Sequence, residues 1–264
     1  MRLLLIGDIM GRPGRRAVRE VLPGLIKERG VDFVTANAEN LAGGVGTTRE
    51  TAEEMFSAGV DVLTSGNHIW DNKEVFDYIR QEPRLLRPVN YPAVQPGGGS
   101  LVAPARNGAK VAVVSASGRV FMGPAHCPFE TLPPLVAELR KETPLVVVDF
   151  HGEATSEKRA LGWHLAGTVT AVVGTHTHVP TADEEILEGG TAYVTDLGMA
   201  GAYDSVIGIR KEDSLARFRT GLPAAYHTAK GDVRFCALLV EADESSGKAL
   251  SVERMCLRLE EPLT

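Results

Sequence analysis

Leu3-Leu4-Leu5-Ile6-Gly7-Asp8 drives a short apolar run straight into a carboxylate. Similar runs, rich in β-branched residues, recur at Val31 to Ala36, Val60 to Thr64, Val111 to Ser115, Leu145 to Val148 and Val169 to Val173. Their length and composition predict strands buried on both faces. Between several of them the apolar spacing becomes helical, as at Val18, Val21, Leu22, Leu25 and Ile26, with Gly30 as the stop. Repeated strand, helix, strand units place the chain in the α/β class. Thr47 with Glu50 and Asp71 with Glu74 have capping-box spacing and predict two further helix starts.

Near the end, Val233 to Glu241, a turn at Glu244 to Gly247, and Leu250 to Leu259 predict an antiparallel hairpin, so the sheet is expected to be mixed. The Pro- and Gly-rich stretch from Pro92 to Gly108 reads as a loop between two halves. At 264 residues the chain is expected to form a single domain over 1–264 with a substantial core.

Hydrophobic residues make up 44% and charged residues 23%, ordinary globular usage. A net charge of -6 gives no long-range attraction to polyanions, so long nucleic acid is not an expected partner. Asp8 interrupts the first apolar run too early for a signal peptide, and no stretch approaches the ~20 apolar residues needed to span a bilayer. A cytoplasmic protein without membrane contact is expected, and a homo-oligomer is compatible with the chain. Cys127, Cys236 and Cys256 are far apart and lack CxxC spacing, which predicts reduced, buried thiols.

Five of the six predicted buried strands run into polar residues at their C-terminal ends: Asp8, Asn37 to Asn40, Gly66-Asn67-His68, Asp149 to His151, and Gly174 to His178. In α/β sheets those ends share one edge, so residues distant in sequence converge on a crevice. A lone strand-end Asp is more often a turn residue than a ligand, and a lone histidine is more often structural. The joint occurrence at five strand ends carries the functional reading. Asp8, Glu39, Asn40, Asn67, His68, His151, His176 and His178 combine hard oxygen donors with imidazoles, a mixture suited to Mn, Fe or Zn. Glu39 can bridge two cations, so two divalent transition metal ions are expected. Gly7, Gly11 and Gly14 match neither GxGxxG nor a P-loop. Arg12, Arg15 and Arg16 read as a solvated helix start, with contact to a phosphate as the alternative.

Asp8, then Gly66-Asn67-His68, then His151, then Gly174-Thr175-His176-Thr177-His178 resembles the calcineurin-like metallophosphoesterase superfamily in order and spacing. Gly7-Asp8-Ile9-Met10-Gly11-Arg12-Pro13-Gly14, Asn37-Ala38-Glu39-Asn40-Leu41-Ala42-Gly43-Gly44 and Asp149-Phe150-His151-Gly152-Glu153-Ala154-Thr155-Ser156-Glu157-Lys158 resemble its bacterial YmdB-like phosphodiesterase branch. The resemblance implies a four-layer fold, two facing mixed sheets flanked by helices. It implies one metal held by Asp8, Glu39, Asn40 and His178, a second held by Glu39, Asn67, His151 and His176, and His68 as proton donor. Implied substrates are phosphodiesters such as 2′,3′-cyclic nucleotides.

The chain departs from the broad superfamily in three places. Met10 stands where an imidazole ligand is usual, Ala38-Glu39 replaces Gly-Asp, and Ile69 stands where an acidic residue often orients the catalytic histidine. A thioether is a poor ligand for hard divalent ions, so Asn40 is expected to take the place of the missing imidazole. An alternative keeps the site without the turnover, as a metal-dependent nucleotide-binding regulatory protein. An amidohydrolase is disfavoured because its His-x-His pair follows the first strand, whereas here it begins at His176.

Overall fold

The first apolar run forms β1 (Arg2–Ile9), whose side chains alternate between two buried faces. Leu4 and Ile6 pack with helix residues such as Val18 and Leu22, while Leu3 and Leu5 pack with Val111, Val147 and Val173 of the later strands. One strand therefore joins two cores. In the computed structural model, which describes residues 1–223 and 225–260, the described residues form two six-stranded sheets and six helices.

The first sheet runs from edge to edge through β12 (Ala249–Arg258), β11 (Val233–Ala242), β10 (Met199–Ala202), β1, β2 (Phe33–Asn37) and β3 (Val62–Thr64). The second runs through β4 (Ser100–Pro104), β5 (Lys110–Ser117), β6 (Val146–His151), β7 (Ala171–Thr175), β9 (Thr191–Val194) and β8 (Glu185–Leu187). Helices α1 (Gly11–Arg29), α2 (Arg49–Ala58) and α3 (Val75–Gln81) cover the first sheet. Helices α4 (Pro128–Leu139) and α5 (Thr155–Leu165) cover the second, and α6 (Lys211–Thr220) follows β10. The middle layer, Leu3, Leu5, Phe33, Val113, Val147 and Leu238 among others, lies between the sheets. Each such side chain contributes about 1.5–3 kcal/mol by burial, which makes the strands a stiff frame for what their ends carry. The fold is the expected four-layer arrangement with mixed sheets.

The six expected strands, the α1 helix with Gly30 in the left-handed conformation as its cap (φ 58°), and the C-terminal hairpin are all present. Several expectations need correction. The Pro92 to Gly108 stretch is not wholly loop, because Ser100–Pro104 is the edge strand β4, with Pro104 at its last position, where a missing N–H is tolerated. Thr48, not Thr47, caps α2 and exchanges hydrogen bonds with Thr51, while the Thr47 hydroxyl donates to the Ala38 carbonyl. Asp71 caps no helix, since α3 begins at Val75 and the Asp71 carboxylate is engaged by His68. The thiols are not all buried: Cys256 is exposed, Cys127 is half-buried, and only Cys236 is in the core. None of the described helices is long and apolar enough to cross a membrane.

Candidate metal centre

β1, β2 and β3 run parallel in the first sheet, and β6 and β7 run parallel in the second, so their C-terminal ends deliver the polar residues to one place. A bulge between Ile6 and Asp8 in the β1–β2 ladder turns the Asp8 side chain inward. After β2, the Asn37 side-chain oxygen accepts from the Glu39 amide (3.1 Å), a local turn that aims Glu39 and Asn40 at the site. After β3, Gly66 leaves room for the His151 ring, since a Cβ on it would lie 2.1 Å from that imidazole.

The side chains of seven of the eight expected residues converge, and His68 adjoins them through its backbone amide. Nε2 of His151 lies 3.2 Å from Oε2 of Glu39, 3.1 Å from Oδ1 of Asn67 and 3.0 Å from Nδ1 of His176. Oδ1 of Asp8 lies 3.9 Å from both His151 Nδ1 and His178 Nε2. Asn40 Nδ2 lies 3.2 Å from Oε1 of Glu39 and 3.1 Å from His178 Nε2, and the His68 amide donates to Oε2 of Glu39 (3.1 Å). Ligand atoms of Glu39, His151 and His176 fall within 4.8 Å of one another, as do those of Asp8, Glu39 and His178. The two triads share Glu39.

The donor set fits cations. Asp8 Oδ1 is fully buried and has no hydrogen-bond partner among the described residues, a costly state for a carboxylate oxygen unless a cation meets it. Burial pushes the Asp8 carboxyl up to about 6 against the pull of His178 and His151. For Glu39, burial acts upward, but the adjoining His151 carries it down to about 2. For His151, burial acts downward, but Glu39 and Asp8 carry it up to about 9. His176 falls to about 3 through burial and the neighbouring His151. Such buried carboxylates and imidazoles bind metal in their deprotonated forms, so the affinity of this donor set for cations depends on pH.

Supporting residues fix which ring nitrogens face inward. Nδ1 of His151 meets Oγ1 of Thr175 (3.0 Å), whose hydroxyl donates to Oδ1 of Asp149 (2.7 Å), so Nε2 is left to the cluster. Nδ1 of His178 donates to the Ile207 carbonyl (2.8 Å). His176 directs Nε2 to Glu153 (3.1 Å) and keeps Nδ1 inward. Such carboxylate and carbonyl partners set tautomer and orientation in metal-binding histidines. His176 and His178 both adopt left-handed backbone, φ 99° and 65°, at a cost of about 1–3 kcal/mol each. That conformation is held from beneath by the buried Lys158–Asp196 pair (2.7 Å), with Asp196 also accepting from the Thr177 amide (3.2 Å).

His68 stands apart from the ligand atoms. Its Nδ1 meets Oδ2 of Asp71 (2.6 Å), and the ring lines a cavity of about 410 Å³ beside the cluster. The His68 ring thus has an acidic partner in Asp71, although residue 69 is Ile. The cavity's other wall is apolar, formed by Val45, Ile207, Phe218 and Tyr226. Sequence reasoning missed Asp71, Glu153, Asp196 and this wall. Of these only Glu153 lies inside a recognised motif, and Asp71 is three residues past His68, at helical reach. Met10 also borders the cavity, wedged between Gly44 and Gly208, where added Cβ atoms would lie 2.9 and 2.5 Å from its side chain. Arg15 is absorbed by Glu54 and the Leu41 carbonyl, whereas Arg12 and Arg16 border a separate cavity with Lys230.

The model of a protein family described as "YmdB-like protein" matches residues 4–255. A 2′,3′-cyclic-nucleotide 2′-phosphodiesterase of Bacillus subtilis is 44% identical over 257 residues, covering 97% of each chain. Among solved structures, a hypothetical protein from Thermus thermophilus superposes with a TM-score of 0.92 at 41% identity, covering 98% of this chain and 99% of that one. A protein of Mycoplasma pneumoniae described as a novel phosphatase superposes with a TM-score of 0.92 at 33% identity, covering 99% and 95%.

Proposed function

The chain belongs to the YmdB-like family, and from that premise we propose that it is a metal-dependent phosphodiesterase acting on 2′,3′-cyclic nucleotides through a pair of divalent cations. The observation that carries this reading is the pair of ligand triads joined at Glu39. In it, Asp8, Glu39, Asn40 and His178 would hold one cation, and Glu39, Asn67, His151 and His176 would hold the other. Mn, Fe and Zn suit these oxygen and imidazole donors. Cations held there would supply Lewis acidity toward a water nucleophile and positive charge against the phosphoryl oxygens.

The chain's own residues do the rest. Asp71 holds the His68 ring by Nδ1 and leaves Nε2 to the cavity, where it can protonate the departing ribose oxygen. Glu39 ties the backbone of His68 to the ligand cluster, so proton donor and ligands keep a fixed relation. Val45, Ile207, Phe218 and Tyr226 offer an apolar face for the base. Cleaving the 2′ ester would yield a nucleoside 3′-phosphate. Incubation of the metal-loaded chain with 2′,3′-cyclic AMP should give 3′-AMP. Stoichiometric binding without turnover would instead favour a regulatory protein.

Asn40, not Met10, completes the first ligand set in this reading. Asn40→Ala is expected to weaken one of the two metal sites selectively. Met10→Leu is close to a volume-conserving swap and should leave both metals in place. Elemental analysis of the two variants checks this, and metal loss in Met10→Leu alone would reverse the assignment.

The apolar wall makes a separate prediction. Phe218→Ala and Tyr226→Ala should raise KM for cyclic nucleotides by ~5- to 150-fold each, the loss of about 1–3 kcal/mol per stacked base. Turnover of a small phosphodiester without a base should be unchanged. Equal effects on both substrates would show that the wall shapes the centre and does not contact the base.

A further inference from the structure

Cys236 and Cys256 are separated by 20 residues in sequence but stand directly opposite each other in the antiparallel ladder of β11 and β12. Their sulfurs lie 3.1 Å apart, and both are free thiols. Opposed residues in such a ladder have Cα atoms about 4.5–5.5 Å apart in either pairing type. That interval lies within the range of about 4.4–6.8 Å that a disulfide spans. A bond between them needs no change of register.

The two thiols are not equivalent. Cys256 is exposed, whereas Cys236 is fully buried and lies 3.0 Å from the Tyr203 hydroxyl. The Cys236 thiol donates to Cys256, and this hydrogen bond, with the Arg234 guanidinium and the charge of Arg254, draws Cys256 down to about 6 even though burial acts the other way. Cys236 is pushed upward by the same hydrogen bond and by burial. An exposed sulfur beside cationic groups, backed by a second thiol, is the arrangement of a reactive cysteine with its resolving partner.

We propose that Cys256 and Cys236 form a peroxide-reactive dithiol, separate from the metal centre, with Cys256 as nucleophile and Cys236 as resolving thiol. The Cys256 thiolate attacks one oxygen of hydrogen peroxide. An S–O bond forms, the O–O bond breaks, and the departing hydroxide takes a proton to become water, leaving a sulfenic acid. Cys236 then attacks the Cys256 sulfur. The S–S bond forms, the S–O bond breaks, and the leaving hydroxide departs as a second water with the Cys236 proton. Two thiols lose two electrons in all, and one peroxide is reduced. Dithiothreitol reverses the product by thiol–disulfide exchange.

The test treats the manganese-loaded full chain with a small excess of hydrogen peroxide, alkylates the remaining thiols after denaturation, and maps them by mass spectrometry. Loss of two of three alkylation sites is expected, at Cys236 and Cys256, with a peptide pair lighter by two hydrogens and Cys127 still alkylated. Dithiothreitol should restore all three. Cys236→Ser should form no disulfide but should trap dimedone at Cys256, whereas Cys256→Ser should leave Cys236 alkylated. Three intact thiols after peroxide, a disulfide that includes Cys127 or joins two chains, or no dimedone adduct in Cys236→Ser would each overturn the proposal. Because thiols and not turnover are counted, the outcome is independent of the phosphodiesterase reading.

Discussion

Glu39→Ala is expected to empty both metal positions and to bring turnover to background. Glu39 is the one residue common to the two triads, with Oε2 beside His151 and Oε1 beside Asn40. Loss of an outer partner alone commonly costs 10- to 100-fold in metal affinity, so loss of a shared ligand should exceed ~10²-fold at each position. Glu39→Gln keeps the volume and one carbonyl oxygen but removes the charge, so it should retain the fold while losing metal. Elemental analysis of both variants, beside thermal melts of the metal-free chains, separates lost ligation from lost folding. Double occupancy retained in a folded Glu39→Gln would remove the bridge from the account.

His68→Ala is expected to keep both metals and to slow release of a ribose alkoxide by ~10²- to 10⁴-fold. Its ring turns away from the ligand atoms toward Asp71, and only its backbone amide contacts Glu39. The loss should depend on the leaving group. Nitrophenolate departs without a proton, so the same substitution should cost much less with a nitrophenyl phosphodiester. Asp71→Asn should show the same contrast in weaker form, because the ring loses the carboxylate that orients it but stays in place. Equal losses on both substrates, or metal loss in His68→Ala, would show that His68 shapes the pocket instead.

The strand ends were legible because apolar runs that stop at polar residues are a local pattern. Topology then converts that pattern into convergence at Asp8, Glu39, His151 and His178. The short strands β8, β9 and β10 escaped notice for the opposite reason. Met199-Ala200-Gly201-Ala202 pairs with β1 and β11 through small residues that carry little propensity of their own. Asp71 was misread because a carboxylate three residues before Glu74 looks like a cap whether or not a helix begins there. The left-handed backbone of His176 and His178 leaves no mark in sequence, since it is imposed by tertiary contacts such as Lys158 with Asp196. The pairing of Cys236 with Cys256 depends on the hairpin's register, which the strand pattern alone did not specify.

The most direct test of the central claim is to add manganese stepwise to metal-free protein while following hydrolysis of 2′,3′-cyclic AMP. The account predicts no turnover without metal and a rise that reaches its plateau at two bound ions per chain. Full activity at one ion per chain, or hydrolysis in the metal-free protein, would contradict it.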